Sequence, residues 1–409
     1  MVLSRLIEDI VSTDGRRVLA GLIRLTGDFD AAEDALQEAY ARAVIAWQRD
    51  GVPDRPGAWL NTVARRVAID RLRQGRTSDL PADLAAVEVQ DEEQAPDVED
   101  DRLRLLFVCC HPALPPDARS ALALRTLGGL STREIARAFV EPEATTAQRL
   151  VRAKKKIRDA RIPFESPSLE KLPERLDAVL SVLYLMFNEG YTSTDADSLI
   201  RPDLAREAIR LGRLAVELLP RSMEARGLLA LMLLTDARRG ARITGDGELV
   251  PLERQDRTLW DRAQIDEGVR ILDDALARGE PGPYQIQAAI AALHATAAAS
   301  ADTDWLQIAL LYDTLLRWLP TPVVELNAAV AHGMTGDLER ALDRLLCIEQ
   351  AGALSRYHLL HASKAEILRR LGRYPAAADS YRDALALVTN PSERRHLHKR
   401  LRELSAGPA

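Results

Sequence analysis

The sequence contains few aromatic residues and few cysteines, and each shortage excludes a class of protein. Aromatic side chains make up 4% of the 409 residues, whereas 47% of the residues are hydrophobic. The cores are therefore built mainly from Ala, Leu, Val and Ile, which favours helices packed on helices. Cys109, Cys110 and Cys347 are too few for a disulfide framework and are typical of a reducing compartment.

Long apolar runs and catalytic signatures are also missing. No run approaches the ~18 apolar residues of a membrane helix, and the N-terminal segment contains acids and is not a signal peptide, so we expect a cytoplasmic protein. We find no P-loop, GxGxxG, GxSxG or HExxH pattern. Neighbouring side chains point about 100° apart on a helix, so Cys109 and Cys110 are expected to be buried small hydrophobes before Pro112. We therefore expect no enzyme activity, no cofactor and no metal site.

Charge is segregated along the chain, although the net charge is only −6. Residues 75–101 hold ten acids and one base, whereas residues 102–161 hold thirteen bases and five acids. The first segment lacks apolar periodicity and is predicted to be a flexible linker. An acidic linker beside a basic module indicates that any nucleic-acid binding is local.

Residues 130–161 resemble a helix-turn-helix with a basic second helix. Ser131 or Thr132 is suited to cap the first helix, and Pro142 interrupts the chain. Thr145 or Thr146 is the expected start of the second helix. Seven cations and one acid lie between residues 149 and 161, which favours contact with phosphates over an ordinary solvated face.

The N-terminal 74 residues read as several helices. Alanines recur every fourth residue over a predicted helix at 28–47, and a basic, apolar helix is predicted at 57–74. Residues 49–56 contain Gly and Pro and are predicted to form a loop. Trp59 is expected to pack inside, and Asp70 is expected to pair with a nearby Arg.

Residues 170–409 are predicted to be all-helical and repetitive, beyond a break at Pro163 and Pro167. GDLERALDRLL from Gly336 matches GRYPAAADSYR from Gly372 at an offset of 36 residues. This spacing is near the ~34-residue tetratricopeptide period. Helices ending before Pro220 and Pro320 are followed by fresh helical patterns at 222 and 322, and residues 243–252 resemble a β-like insertion.

Residues 187–201 place polar groups beside aromatics and leave two interpretations open. Asn188, Glu189 and Tyr191 could line a site that contacts the N-terminal modules. Equally, the segment could be an interhelical turn with Gly190 as a C-cap.

Two segments together carry a family resemblance. DAAEDALQEAYARA (30–43) followed by AWLNTVARRVAIDRLR (58–73) resembles region 2 of an extracytoplasmic-function RNA polymerase sigma factor. LSTREIARAF (130–139) and TTAQRLVRAKKKI (145–157) resemble its region 4. With the repeats, the whole chain resembles the subgroup with a C-terminal tetratricopeptide-like extension. The implied fold is all-α, with region 2 at 1–74, a linker at 75–101, region 4 at 102–162 and repeats at 170–409.

The resemblance implies functional residues in region 2. The predicted helix at 28–47 would dock on the β′ coiled coil of core RNA polymerase, through Asp30, Glu33, Asp34, Gln37 and Glu38. The next helix would bind the minus-ten element as a single strand, which needs cations along the backbone. Those cations would be Arg65, Arg66, Arg71 and Arg73, and residues 49–56 would match the base-capturing loop.

For region 4, the resemblance implies contact with the β flap and with the minus-thirty-five element of promoter DNA. The expected DNA-binding residues are Thr145, Gln148, Arg149, Arg152, Lys155 and Lys156. Gln148 and Arg152 would face base edges, whereas Arg149, Lys155 and Lys156 would hold phosphates. The turn departs from the family pattern at Val140, where Gly is common, so a turn of a different type is expected.

The combined prediction is a promoter-specificity subunit of bacterial RNA polymerase. Its repeats would regulate it in cis, through contact with the sigma regions. The alternative is a DNA-binding transcriptional regulator whose repeats sense a protein or ligand and which does not dock on polymerase. Residues 30–73 distinguish the two, because such a regulator does not need them.

Overall fold

The computed structural model describes residues 2–75, 98–139, 141–164, 172–191, 202–244, 250–279 and 281–405. These residues form eighteen α-helices and short 3₁₀ turns, without a β-strand, which confirms the all-α class. Within the same residues, no helix has the length and hydropathy needed to cross a membrane. The chain divides into two compact units: Met1–Asp195 with Ile200–Leu211, and Ala196–Leu199 with Gly212–Ala409.

Three helices at the start of the first unit form a bundle: α1 (Val2–Thr26), α2 (Phe29–Asp50) and α3 (Pro56–Gly75). Each packs against the other two around the fully buried Leu22 and Leu60. Gly27 ends α1 with a φ of 67°, a value that glycine adopts readily. Asp28 then caps α2 with its side chain. Because α2 runs past its predicted end, the predicted loop shortens to residues 51–55.

Four further helices follow in the first unit: α4 (Val98–Cys109), α5 (Pro116–Thr126), α6 (Thr132–Ala138) and α7 (Glu143–Asp159). Helix α4 begins inside the segment predicted as a linker and packs against α1 and α5. Asp101 is 4% exposed and pairs with Arg24 at 3.4 Å and Arg104 at 3.3 Å. The acids at 98–101 therefore begin a helix, and residues 76–97 of the predicted linker lie outside the described residues.

Cys109 and Cys110 lie in the core of this four-helix region, as predicted. Both side chains are fully buried, and burial raises the pKa of both thiols, that of Cys109 to about 12. They are therefore protonated, inert core residues at neutral pH. In the described parts of the chain, no group of three potential metal ligands comes together.

The first unit also contains α8 (Leu172–Tyr191) and the first half of α9 (Pro202–Leu218). Helix α8 packs against α5. A Cβ on Gly190 would lie 2.5 Å from the backbone N of Ala205, so Gly190 permits close approach of α8 and α9. Gly190 lies inside α8, and its prediction as a C-cap is therefore wrong. Residues 192–201, which complete the predicted polar segment, lie outside the described residues.

A buried ion pair joins α4 to α9. Arg102 Nη1 donates to both carboxylate oxygens of Glu207 at 2.8 Å, and the two side chains are 10% and 9% exposed. Arg210 also donates to Glu207 at 3.0 Å. Burial lowers the pKa of Arg102 to about 10, so Arg102 remains protonated at neutral pH. The predicted break at Pro163 and Pro167 lies between α7 and α8, and the first compact unit continues beyond it to Leu211.

The second unit consists of helical hairpins. Its helices after α9 are α10 (Met223–Asp236), α11 (Arg262–Leu276), α12 (Pro283–Thr296), α13 (Trp305–Trp318), α14 (Pro322–Met334), α15 (Leu338–Ala351), α16 (His358–Arg370), α17 (Tyr374–Leu387) and α18 (Pro391–Ser405). Consecutive helices pair from α10 to α17, and α18 packs on α17. The first helices of neighbouring hairpins also pack together, α10 on α12 and α14 on α16.

The predicted 36-residue offset corresponds to two of these hairpins. Gly336 and Gly372 occupy the turns of α14–α15 and α16–α17, with φ of 103° and 73°. Ala341 and Ala377, one turn into the second helices, are both fully buried. The glycines allow the turn conformation and the alanines allow close helix packing, so the sequence match reflects equivalent positions.

Proline and turn signals between the repeats were interpreted correctly. Helices α9 and α13 end before Pro220 and Pro320, and the next helices begin after Ser222 and at Pro322. The insertion between α10 and α11 contains three 3₁₀ turns, and Val250 N donates a hydrogen bond to Arg242 O at 2.7 Å. Residues 245–249 of the β-like segment lie outside the described residues.

Candidate DNA-binding and polymerase-docking surfaces

Helices α6 and α7 form the predicted helix-turn-helix. Ser131 and Glu134 make the capping box at the start of α6, with hydrogen bonds of 2.6 and 3.2 Å. Helix α7 begins at Glu143, earlier than predicted, with Pro142 at its N-cap position. An amide hydrogen is not needed there, so proline precedes the helix without cost. Val140, the anomalous turn position, lies outside the described residues.

Helix α7 has a buried face and a polar outward face. Its buried residues recur at helical spacing: Thr146, Leu150, Ala153 and Ile157. Five of the six predicted minus-thirty-five residues are exposed: Thr145, Gln148, Arg152, Lys155 and Lys156. Gln148 and Lys155 lie opposite the buried stripe at 100° per residue. The arrangement offers an amide, a guanidinium and ammonium groups on one accessible surface.

The sixth residue, Arg149, is held inside the helix-turn-helix. Its guanidinium pairs with Glu141 at 2.7 Å and with Asp117 of α5 at 2.8 Å. The same guanidinium lies 5.7 Å from the centre of the Phe139 ring, and the side chain is only 17% exposed. A hydrogen bond from Arg149 holds the pKa of Glu141 below its ordinary value. This geometry gives Arg149 a structural role, and its predicted phosphate contact would require these bonds to break.

Lys154 joins the predicted DNA-binding helix to the predicted polymerase-docking helix. Its Nζ lies 2.8 Å from Glu33 Oε2 and 3.1 Å from Asp30 Oδ1 of α2. Lys154 is 12% exposed, whereas Asp30 is 60% exposed. Two of the five predicted docking residues are thus neutralised from within the chain.

One turn later, Arg158 extends this contact to the start of α2. It lies 3.1 Å from Asp28 and 3.9 Å from Asp30. Burial raises the pKa of Asp28, but hydrogen bonds from Ala31 N and Arg158 outweigh it and hold the pKa below its ordinary value. Asp28 is therefore ionised at neutral pH and serves both as helix cap and as partner for Arg158.

The remaining docking residues face α3 or solvent. Arg71 of α3 lies 2.9 Å from Glu38 and 3.6 Å from Asp34. Arg42 also pairs with Glu38 at 2.6 Å, and Gln37 is exposed. Hydrogen bonds from Arg42 and Arg71 hold the pKa of Glu38 low. Arg71, predicted to bind DNA, is thus engaged with two predicted docking acids.

The other predicted minus-ten cations differ in accessibility. Arg66 and Arg73 are exposed on α3. Arg65 is half-buried, and burial together with the charge of Arg24 lowers its pKa. Trp59 packs against Trp47 with ring centres 5.5 Å apart, so its partly internal position agrees with the prediction.

Sequence reasoning did not single out the residues that bring α2 and α7 together. Lys154 and Arg158 were counted among the cations of the second helix, but neither received a role. Their spacing of four places them on one edge of α7, between the buried stripe and the outward face. That pattern predicts a shared partner, although it does not identify α2.

Comparisons with protein families match this architecture in three segments. Residues 10–77 match "Sigma-70 region 2", and residues 104–157 match "Sigma-70, region 4". Residues 175–276, which cover α8 to α11, match a family of unknown function, DUF6596.

Individual relatives extend this picture. An uncharacterized protein of Rhizobium meliloti is 44% identical over 402 residues, covering 96% of this chain and 94% of that protein. The probable ECF RNA polymerase sigma factor SigI of Mycobacterium tuberculosis is 30% identical over 43% of this chain and 60% of its own length. The probable RNA polymerase sigma factor RfaY of Xanthomonas campestris is 31% identical over 50% of this chain and 49% of its own length.

The sigma-type matches cover α1–α7, and the match along nearly the whole chain includes the helical extension. The chain therefore belongs to the extracytoplasmic-function sigma factors of RNA polymerase, in the subgroup with a C-terminal extension.

Proposed function

We propose that this sigma factor docks on core polymerase through α2, contacts the minus-ten element through α3 and the minus-thirty-five element through α7, and is regulated in cis by its repeats. Residues 1–74 would act as region 2, residues 102–162 as region 4 and residues 170–409 as the regulatory extension. The observation that carries the proposal is the outward face of α7, where five predicted DNA-contact residues are exposed opposite a buried apolar stripe.

The proposed polymerase partner is the β′ coiled coil, which would meet the acidic side of α2. Asp34 and Gln37 are exposed, and Glu38 is held only by exposed arginines. Exposed ion pairs of this kind contribute little to stability. Basic groups on a partner can therefore replace Arg71 and Arg42 at small cost.

The proposed DNA contacts divide into base readout and positioning. Gln148 offers the donor and acceptor pair that matches adenine, and Arg152 offers the fork that matches guanine. Lys155 and Lys156 would hold phosphates, which fix register without reading sequence. On α3, the exposed Arg66 and Arg73 would follow the single-stranded minus-ten element.

Promoter binding requires α2 and α7 to separate. Elements at minus ten and minus thirty-five are about 25 base pairs apart, which is about 85 Å along B-DNA at ~3.4 Å a base pair. Lys154 and Glu33 are 2.8 Å apart in this structure. Since α2 and α3 belong to one bundle, the two elements cannot both be bound while this contact holds. We therefore propose that this structure is a closed form and that the promoter-bound form is open.

Regulation in cis is supported by the way the extension begins. Helix α8 packs on α5, and Glu207 of α9 pairs with the buried Arg102 of α4. The second half of α9 belongs to the second unit. We expect a conformational change in the repeats to reach α4 through helix α9 and the buried ion pair between Glu207 and Arg102. Helix α8, which packs on α5, would carry the change to α5.

Capture of core polymerase tests the docking surface. Asp34→Lys and Glu38→Arg should each reduce capture, whereas Asp383→Lys on the exposed side of α17 should not. The double variant Glu38→Arg with Arg71→Glu restores the internal ion pair with reversed polarity. If docking needs the acid on α2, this variant stays impaired; recovery of capture would show that only the internal pair mattered.

A test of cis regulation requires a truncated chain in which the first compact unit stays intact. A chain ending after residue 165 would lose α8 and expose the surface of α5 that α8 covers. A chain ending after Pro220 keeps α8 and α9. We expect promoter-dependent transcription by this shorter chain to differ from that of the full chain. Equal initiation by the two would contradict cis regulation.

A further inference from the structure

Helix α18 of the repeats has an apolar inner face and a basic outer face. Leu397 is 5% exposed and packs in a cluster with Tyr381 and Val388, and Leu401 and Leu404 are partly buried against the same cluster. At 100° and 1.5 Å per residue, the exposed basic side chains lie within an arc of about 140° and along about 12 Å of helix. These side chains form the basic stripe: Arg394, Arg395, His398, Lys399 and Arg402.

The two acids of α18 have partners elsewhere. Glu393 lies 3.3 Å from His358 of α16. Glu403 lies 3.0 Å from Arg400, a mostly buried residue that is not part of the basic stripe. Neither acid is therefore paired with the basic stripe.

Cations of the basic stripe keep their charge for a partner. Arg394 donates to the carbonyl oxygen of Val388, which is a neutral group. Within the described residues, neither Lys399 nor Arg402 has an ion-pair partner. An anion can therefore approach these cations without breaking an ion pair.

The need for a polar surface does not explain the basic stripe. The outer face of a repeat array must be polar to stay soluble, but polarity does not require one sign of charge. The exposed charged residues of the neighbouring α17 have both signs: Asp379, Arg382 and Asp383. The chain as a whole carries a net charge of −6, so a stripe of bases alone is an exception on this protein.

The basic stripe contains no apolar or aromatic side chain, which favours a nucleic acid over an acidic protein as its partner. Protein interfaces surround an apolar core with a polar rim, whereas contacts with phosphates need only cations and other donors. One strand of duplex DNA has a phosphate every ~3.4 Å along the helix axis. A stripe of about 12 Å therefore spans three or four phosphates of one strand.

We propose that the basic stripe of α18 binds the phosphate backbone of duplex DNA upstream of the minus-thirty-five element. The repeats would then supply a third DNA contact, beyond those of α3 and α7. This inference rests on the proposed function and adds to it a contact that reads no base sequence. Arg394, Lys399 and Arg402 would hold the phosphates.

The experiment uses the full chain with core polymerase and a promoter that this chain selects from random duplexes. A short duplex ends at the upstream edge of the minus-thirty-five element, and a long duplex continues for about 40 base pairs, or four turns. Dissociation constants for both are measured over a series of salt concentrations. The proteins are wild type, Lys399→Ala plus Arg402→Ala, and a control, Arg317→Ala plus Arg340→Ala, which removes exposed cations of α13 and α15.

On the long duplex, the slope of log affinity against log salt concentration should be shallower by about two in the α18 variant than in wild type or the control. On the short duplex, the three proteins should have the same slope. This pattern would show that the basic stripe contacts phosphates of the upstream duplex.

Equal slopes for the three proteins on the long duplex would overturn the inference and leave the proposed function standing. Equal slopes together with weaker capture of core polymerase by the α18 variant would assign the basic stripe to an acidic protein surface instead. An equal change of slope on both duplexes would place the contact within the promoter and overturn the upstream assignment. If wild type selects no promoter, the proposed function fails and the inference fails with it.

Discussion

Lys154 Nζ lies 2.8 Å from Glu33 Oε2, although the two residues are 121 positions apart in the chain. One belongs to the helix proposed to read the upstream promoter element, and the other to the helix proposed to dock on polymerase. Their ion pair couples the two surfaces, because it engages the proposed docking acids Asp30 and Glu33 and holds α7 beside α2. Polymerase docking and promoter binding should therefore both favour the open form.

Lys154→Ala should shift the chain toward the open form and speed its association with core polymerase. We expect a rise of about two- to fivefold, since ion pairs near a surface contribute modestly. Lys155→Ala is the matched control, because Lys155 is exposed and is not among the residues paired with α2. Stopped-flow association kinetics measure the effect. Equal rates for the two variants would contradict the coupling.

Arg149→Ala should destabilise region 4 by about 1–3 kcal/mol, because Glu141 loses its guanidinium partner in a partly buried site. Arg149→Lys should recover little of this, since an ammonium cannot bridge Glu141 and Asp117 as a planar fork does. Thermal unfolding measures the loss.

The exposed Lys156→Ala provides the contrast with Arg149. It should leave the unfolding midpoint unchanged. The slope of log affinity for DNA against log salt concentration should become shallower by about one, as expected for the loss of one phosphate contact. If Arg149→Ala instead leaves stability intact and lowers the salt dependence in the same way, its structural role is wrong.

Loss of one partner of the Arg102–Glu207 pair should be costly, because the remaining charge is buried. Arg102→Met should lower the free energy of unfolding by about 3 kcal/mol. The double variant Arg102→Met with Glu207→Met should lose less free energy of unfolding than the two single variants lose together. Denaturant unfolding of the four proteins gives the coupling energy, and strictly additive losses would exclude this pair as the link between α4 and α9.

His294 should make the second unit less stable in mild acid. Burial lowers its pKa to about 4 from an ordinary value of 6.5, so the unfolded chain takes up a proton before the folded chain does. Its contribution to stability is complete above pH 6.5 and is lost as the pH falls toward 4. We expect a loss of about 2 kcal/mol between pH 7.5 and pH 5.

His294→Gln removes this titration and should flatten the pH dependence of the urea midpoint over that range. His398→Gln, at an exposed position of α18, should leave the dependence as in wild type. An unchanged slope in His294→Gln would rule out His294 as its source.

Local features were predictable from the sequence wherever short-range rules decide the structure. The capping box at Ser131, the helix breaks before Pro220 and Pro320, and the equivalence of Gly336 and Gly372 all follow from local spacing. Such features depend on a few consecutive residues. The family motifs in α2, α3, α6 and α7 were recognisable for the same reason.

Long-range contacts were not predictable in this way. Nothing near Lys154 in the sequence indicates that Glu33 will be its partner, and Arg102 and Glu207 are 105 positions apart. Arg149 resembled a free phosphate contact because Asp117 of α5 and Glu141 converge on it only in the folded region 4. Gly190 resembled a helix cap, although its lack of a side chain allows the backbone of Ala205 in α9 to pack closely against α8.

Promoter-directed transcription in vitro tests the central claim most directly. Core polymerase with the full chain should give a discrete run-off product from a promoter selected by that chain, and core polymerase alone should not. The product should be lost with Glu38→Arg, which reverses a proposed docking acid, and with Gln148→Ala plus Arg152→Ala, which remove the proposed base contacts on α7. A product that does not require the chain, or that all of these variants support equally, would contradict the account.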